Sequence, residues 1–372
     1  MENITHSLFG AALYRCGFER YVPNSMLLWV VGANLPDVDV VVNLFGKTAY
    51  LDHHRGFTHS ILGVIVLSTL LATTWFFWQQ RRYSVNKLKS PPEENNNLSP
   101  PNWLSLFLAS LLAVGTHPLL DGLNNYGIRP LQPWSQKWFY GDLVFIADPW
   151  IWLILGGALF LSGTRSRSLT AIWAVVAFIA WQVMFFSGRV ASLALAIWGV
   201  AVGLVAVLHL RVKDQILTNK VWLVRGALLL FCIYLTGLFY LQSQALEKTA
   251  KYLQIGVEEK VTKFSVSPTA ANPFRWEFLA ESQNYFYYGI VDLVNNTVTT
   301  PKRIFVDRNS PILEQALNTK EGRAMKNFSR YLIAEQTPST VGTWVTLCDG
   351  RYVRDFRGSH PQFACIKVLV PK

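Results

Sequence analysis

Five of the seven histidines in this chain of 372 residues fall in its first 150 positions. They are His6, His53, His54, His59 and His117, and Asp37, Asp39, Asp52 and Asp121 accompany them. Imidazole with carboxylate is the donor set of Zn²⁺, Mn²⁺ or Fe²⁺, with no soft sulfur to select copper. His117 and Asp121 stand at i and i+4, on one face of a helix, where the pair can hold one metal ion. The plainer reading is a structural His–Asp hydrogen bond. Pro36 ends a helix, so Asp37 and Asp39 extend from non-helical backbone; ordinary solvation of a helix end is the alternative. Thr58 is placed to cap the helix after His59, and Gly63, one turn on, permits close helix packing. The alternative is that His59 is a polar helix-start residue. Adjacent histidines rarely bind the same ion, so His54 is favoured and His53 is left to the loop. Arg55 cannot ligate a metal, but its guanidinium can hold a phosphate or carboxylate bidentately; an interfacial anchor is the alternative.

The candidate ligands are therefore His6, Asp37, Asp39, His54, His59, His117 and Asp121. That set suffices for one divalent ion or two, Zn or Mn for preference, and two-metal centres are common in phosphoesterases. Metal-bound water has its pKa lowered towards ~7, so attack by metal-bound hydroxide is the implied chemistry. Asp39, Asp121 and Arg55 are the candidates for catalysis itself, an aspartate as general base and the arginine on the substrate. No GxSxG elbow, HExxH helix or P-loop competes with this reading.

These residues need elements that bring them together. A spanning helix takes roughly 20 apolar residues. Suitable runs are Ile61–Trp78, Trp103–Gly122, Leu143–Ser162, Ser168–Ser187, Val190–Leu210 and Val221–Leu241. Two shorter runs, about 5–14 and 23–36, read as a partly embedded helical hairpin. Antiparallel segments alternate direction, so the start of the first, end of the second, start of the third and end of the fourth share one side. His6, Asp37 and Asp39, His54 and His59, and His117 and Asp121 occupy those ends in turn. A weak internal repeat agrees: Thr5-His6-Ser7-Leu8-Phe9-Gly10 matches Thr58-His59-Ser60-Ile61-Leu62-Gly63 at four of six positions.

Eleven basic residues lie at the opposite set of ends: Arg15, Arg20, Arg81, Arg82, Lys87, Lys89, Arg165, Arg167, Arg211, Lys213 and Lys220. Five lie on the histidine side: Lys47, Arg55, Arg129, Lys137 and Arg189. Positive charge favours the cytoplasm, which puts the histidines and aspartates on the outer face. Loop 79–102 then reads as a flexible cytoplasmic linker. Asp142 and Asp148 lie near the outer end of the fifth run and could support the site, and Asp148-Pro149-Trp150 suggests a broken helix. His209 and His360 are read as unrelated to it.

The chain is 51% hydrophobic and only 15% charged, where a soluble domain carries about 25% charged residues. Its net charge of +11 is largely explained by short basic loops, and no basic stripe with interleaved aromatics suggests nucleic acid. Residues 1–25 show no signal-peptide pattern. None of the four cysteines forms a CxxC pair, and Cys348 and Cys365 could pair if their domain is exported. Beyond Leu241 apolar and polar residues alternate. Strands are expected in Glu281–Val294, Thr297–Val306, Gly342–Leu347 and Phe363–Val370, and helix in Ser310–Glu335.

The motifs together resemble the YdjM-like, LexA-regulated inner-membrane-associated metal-dependent hydrolases. The resemblance rests on Thr5-His6, Leu35-Pro36-Asp37-Val38-Asp39, His54-Arg55-Gly56-Phe57-Thr58-His59-Ser60, His117-Pro118-Leu119-Leu120-Asp121 with Gly127, and Asp148-Pro149. It covers about residues 1–160. It implies a bacterial or archaeal membrane protein that binds metal through these residues, and it supplies no substrate.

The expected fold is mainly α, a polytopic helical membrane bundle with a small C-terminal α+β domain. Residues 1–160 form the membrane-embedded hydrolase-like part, 161–241 add transmembrane helices, and 242–372 form an extramembrane domain. The expected partners are membrane lipids and a small-molecule or lipid substrate such as a phosphoester, without nucleic acid. The expected location is the inner membrane, multi-pass. Two other functions fit less well. A cation transporter should carry ionisable residues at mid-span in several helices, whereas here they cluster at one face. A metal-stabilised scaffold without catalysis would have no open coordination position.

Overall fold

A computed structural model describes residues 1–89, 100–163, 166–188, 190–211, 220–353 and 364–372. The heart of the expected linker (90–99), Arg165, Arg189, Lys213, His360 and Phe363 lie outside the described residues. The chain forms two compact units, the first comprising 1–38, 55–140 and 146–234, the second 39–54, 141–145 and 235–372.

The first unit is helical. Its helices are α1 (Asn3–Arg15), α2 (Met26–Asn34), α4 (Ile61–Lys89), α5 (Trp103–Asp121), α6 (Pro149–Ser162), α7 (Arg167–Phe186) and α8 (Ser192–Arg211). It also holds the first part of α9 (Lys220–Ile255). Among the described residues five helical segments are long and apolar enough to cross a membrane: Met26–Phe45, Ile61–Val85, Trp103–Asp121, Ser192–Arg211 and Lys220–Ile255. Pro149–Ser162 and Thr170–Phe186 are shorter apolar helices. Much of their apolar surface is exposed, including Leu104, Leu108 and Leu112 on α5, as a helix in lipid requires.

Two expectations about these spans need correction. The run 23–36 is too short to cross by apolar count, but α2 continues through tight 3₁₀ turns from Leu35 to Phe45. Asp37 and Asp39 interrupt the apolar run in sequence without ending the helical path. The fifth span does not begin at Leu143. Its chain is irregular until Asp148, whose side chain caps Trp150 N–H at 2.9 Å, with Pro149 at the first helical position.

Close packing of α1, α2, α4 and α5 builds the core of the first unit around Leu28, Trp29, Ala72, Leu106 and Ala113. Gly10 is required there, because a Cβ on it would lie 2.6 Å from the Trp29 carbonyl on α2. Gly63 has a different duty from its counterpart in the repeat. A Cβ on it would lie 1.8 Å from the Phe57 carbonyl, so it admits the 3₁₀ turn Phe57–His59 against the start of α4. The cap of α4 is also two residues later than expected. Ser60 Oγ, not Thr58, accepts from Gly63 N–H at 3.0 Å.

The second unit carries β1 (Lys263–Thr269), β2 (Asn272–Glu281), β3 (Tyr285–Asp292), β4 (Thr297–Val298) and β5 (Lys302–Phe305) in one antiparallel sheet, with β5 and β4 both on β3. A second sheet has the order β6 (Leu332–Ser339), β7 (Gly342–Asp349), β8 (Cys365–Pro371). Helices α10 (Pro311–Leu317) and α11 (Lys320–Phe328) lie between them in sequence. The expected strand Glu281–Val294 is thus a hairpin end plus β3, broken by a turn at Ser282, whose Oγ accepts from Tyr285 N–H at 3.1 Å. Strands β1, β6 and most of β2 were not expected, because prolines at 268, 273 and 338 disguise their alternation. Cys348 and Cys365 are disulfide-bonded. Helix α3 (Lys47–His53) packs on α11, and Lys47 Nζ donates to the Cys365 carbonyl.

Candidate metal centre

Four of the expected ligands converge in the first unit. Single donor atoms from Asp37, His59, His117 and Asp121 all lie within 4.8 Å of one another. Three elements deliver them: the 3₁₀ continuation of α2, the turn before α4, and α5, which supplies two from positions one turn apart. His117 Nε2 lies 3.3 Å from Asp37 Oδ1 and 3.4 Å from Asp121 Oδ2. His59 Nε2 lies 3.5 Å and 3.3 Å from the same two atoms. His59, His117 and Asp121 are fully enclosed, whereas the Asp37 side chain is 18% exposed.

The imidazoles are oriented by their other nitrogens. His117 Nδ1 donates to the Ala33 carbonyl of α2 at 2.7 Å, leaving Nε2 as the unprotonated atom of the neutral ring that faces the carboxylates. A carbonyl behind a histidine in this way fixes tautomer and ring plane in metal sites. His59 Nδ1 lies 3.0 Å from Thr58 Oγ1, which is the part Thr58 plays in place of capping.

His6 stands beside the four. It stacks on His117 with ring centroids 3.8 Å apart, and its Nε2 is 3.3 Å from Asp121 Oδ1. Thr5 and Glu2 set the start of α1: Glu2 accepts from Thr5 N–H at 3.0 Å and from Trp152 Nε1 on α6. The Met1 amino group also lies against Asp121.

The donors fit a divalent cation. His117 Nε2, His6 Nε2 and both Asp121 oxygens are buried atoms with no hydrogen-bond partner. Buried polar atoms normally have one, and a cluster of neutral imidazole and carboxylate atoms is what a borderline or hard cation requires.

The remaining expected residues are placed differently. Asp39 and His54 belong to the second unit, where they pair with each other at 2.8 Å and His54 stacks on Tyr50; they are not members of the four-residue group. Arg55 adopts a left-handed backbone (φ 53°) and its Nε lies 3.1 Å from Asp121 Oδ2. Asp142 is gripped by Arg330, both oxygens accepting at 2.8 Å; burial pushes its pKa up and Arg330 opposes this. Asp148 accepts from Tyr234 of α9 at 2.8 Å. His209 stacks on Phe160, with ring centroids 4.1 Å apart.

Asn124 was not among the expected site residues. It is completely buried in the turn after α5, and its Oδ1 accepts from Arg55 Nη1 at 3.2 Å and from Tyr126 N–H at 2.8 Å. An asparagine after a helix ordinarily reads as a local turn residue.

A polytopic helical bundle with a histidine–aspartate cluster at its helix ends defines a membrane protein with a candidate metal site. The model of the YdjM inner membrane protein family matches residues 1–190, and the chain belongs to that family. It is also 32% identical over 129 residues to the uncharacterized protein YfhP of Bacillus subtilis (strain 168), an alignment spanning 34% of this chain and 33% of that protein. No solved structure matches.

Proposed function

We propose that this protein is a membrane-bound metal-dependent hydrolase acting on a phosphoester of lipid or envelope origin. The observation that carries the reading is the group Asp37, His59, His117 and Asp121, whose donors lie within 4.8 Å of one another and include buried atoms without hydrogen-bond partners. These four would hold the ion, with His6 beside them. A divalent ion there would supply Lewis acidity and lower the pKa of a coordinated water towards ~7. The chain's own groups do the rest. The Ala33 carbonyl fixes the ring of His117, and Arg55 restrains the Asp121 carboxylate. Asp37, the least enclosed of the four, is the side of the cluster from which a substrate would enter.

Phe57, Ile61 and Leu119, beside the ligands in sequence, are 41%, 60% and 73% exposed. Large apolar side chains at the end of a membrane helix suit the headgroup layer, which supports a lipid-borne substrate. The bias of eleven basic residues against five supports an outer location for these helix ends. The Cys348–Cys365 disulfide supports export of the C-terminal region, since disulfides persist in oxidising compartments.

The test is a phosphoester panel, from bis-p-nitrophenyl phosphate to glycerophospholipids, offered to protein loaded with Zn²⁺ or Mn²⁺ in nanodiscs. The expected result is turnover that a chelator abolishes and that Asp121→Ala lacks. Metal-loaded protein inert across the whole panel overturns the phosphoester assignment.

A further inference from the structure

Asp121 is the residue on which most of the cluster converges: from α5 itself His117 Nε2 reaches its Oδ2 at 3.4 Å, and from outside α5 the Arg55 guanidinium faces the same oxygen at 3.1 Å. Of the described side chains around that carboxylate Arg55 is the one cationic guanidinium, and Arg55 is an awkward residue to rely on. It is 4% exposed, sits in a left-handed conformation that costs energy for a residue with a Cβ, and carries a long side chain with several rotamers. Its position must be imposed by its surroundings.

Those surroundings are the turn after α5. Asn124 Oδ1 accepts from Arg55 Nη1 at 3.2 Å, and the same oxygen accepts from Tyr126 N–H at 2.8 Å and Gly127 N–H at 3.4 Å. The Tyr126 ring lies under the guanidinium, 4.5 Å from its carbon. The backbone is laced as well: Arg129 N–H donates to the Arg55 carbonyl at 3.2 Å, and Ile61 N–H to the Pro130 carbonyl at 3.0 Å. One oxygen therefore ties the turn that follows Asp121 to the arginine that faces Asp121.

We propose that Asn124 is a positioning residue of the metal centre: its Oδ1 fixes Arg55, and Arg55 sets the Asp121 carboxylate in the orientation the histidines require. The proposal rests on the reading of this cluster as a metal site. Asn124 N–H donates to the Asp121 main-chain carbonyl at 3.3 Å, while its side-chain oxygen reaches the carboxylate through Arg55. Partners of this kind commonly change metal affinity by about 10–100-fold.

The test uses Co²⁺ as the probe, with the full chain in detergent. Affinity and the visible d–d spectrum are measured for wild type, Asn124→Ala, Asn124→Asp, Arg55→Lys and the Asn124→Ala/Arg55→Lys double variant, with Asp121→Ala as control. Asn124→Ala is expected to weaken Co²⁺ about tenfold or more and to shift the d–d bands. Asn124→Asp, which keeps an acceptor for the guanidinium, is expected to recover most of the affinity and the wild-type spectrum. In the Arg55→Lys background, Asn124→Ala is expected to cost nothing further, because the two act in series. Full affinity with an unchanged spectrum in Asn124→Ala overturns the proposal and leaves the metal site standing. An undiminished loss in the Arg55→Lys background overturns the route through Arg55. Wild type that binds no Co²⁺ overturns the metal reading and this proposal with it. If Asn124→Ala fails to fold, Arg55→Lys and Asn124→Asp decide: Arg55→Lys binding Co²⁺ as wild type does, or Asn124→Asp showing the Asp121→Ala spectrum, contradicts the relay.

Discussion

Asp121 and Asp349 are both completely buried carboxylates, one in each unit of the chain. Asp349 accepts from the backbone N–H groups of Arg330 and Arg351 at 3.0 and 2.9 Å, and from the Arg351 guanidinium at 2.9 and 2.6 Å. Arg351 in turn donates to the Phe328 carbonyl at 3.1 Å. That pair is satisfied by the protein alone. Asp121 has three imidazoles and a guanidinium within 3.4 Å, yet neither of its oxygens accepts a hydrogen bond. Burying a charge costs several kcal/mol unless partners compensate. Where the compensation is complete, the carboxylate is architecture. Where ion-pair contacts leave both oxygens without a hydrogen bond and imidazole nitrogens crowd around them, a metal cation completes the set.

The sharpest way to break this contrast is at Gly63. Its Cβ would meet the Phe57 carbonyl, so Gly63→Ala is expected to displace the turn that carries His59. Metal content should fall at least tenfold, on the scale of lost ligand support. Gly10→Ala, which disturbs α1 against α2, should lower thermal stability while leaving more metal bound. Equal metal content in wild type and Gly63→Ala would show that His59 is not a ligand.

Asp349→Ala is expected to do the reverse. Leaving Arg351 buried without its partner should destabilise the second unit by about 3–5 kcal/mol, read by denaturant unfolding, with metal content unchanged. Cys348→Ser with Cys365→Ser opens a loop whose ends are 17 residues apart, and should cost about 3 kcal/mol without effect on metal. Thiol labelling of wild type, before and after reduction, checks that the bridge is formed.

The smallest effect is expected at Glu259. Hydrogen bonds from Asn284, with Ser282 behind, hold its carboxyl below the usual range. A depressed carboxyl contributes stability above its unfolded pKa and loses it as pH falls through the folded one. Wild type should therefore lose a small increment on acidification below about pH 4 that Glu259→Gln does not. Parallel pH profiles for the two would remove Glu259 from the account.

Much of the cluster was legible because helix direction is legible. Apolar runs locate the ends of α1, α2, α4 and α5, and alternation of direction puts His6, Asp37, His59 and His117 at one end. The i, i+4 spacing of His117 and Asp121 needs only helical periodicity. Asp39 and His54 were harder, because residues 39–54 pack with strands and helices some 300 positions away, and no local pattern encodes that. Thr58 and Ser60 are both good caps, and only the 3₁₀ turn decides between them. Asn124 was illegible for a related reason: its partner lies 69 residues earlier.

The central claim is a metal ion bound by the first unit. Elemental analysis of freshly purified protein, wild type beside His59→Ala and Asp121→Ala, tests it directly. The account predicts stoichiometric divalent metal in wild type, lost in both variants, which still enter the membrane and stay monodisperse in detergent. Wild type without metal after reconstitution with Zn²⁺ or Mn²⁺, or both variants retaining it, would contradict the account.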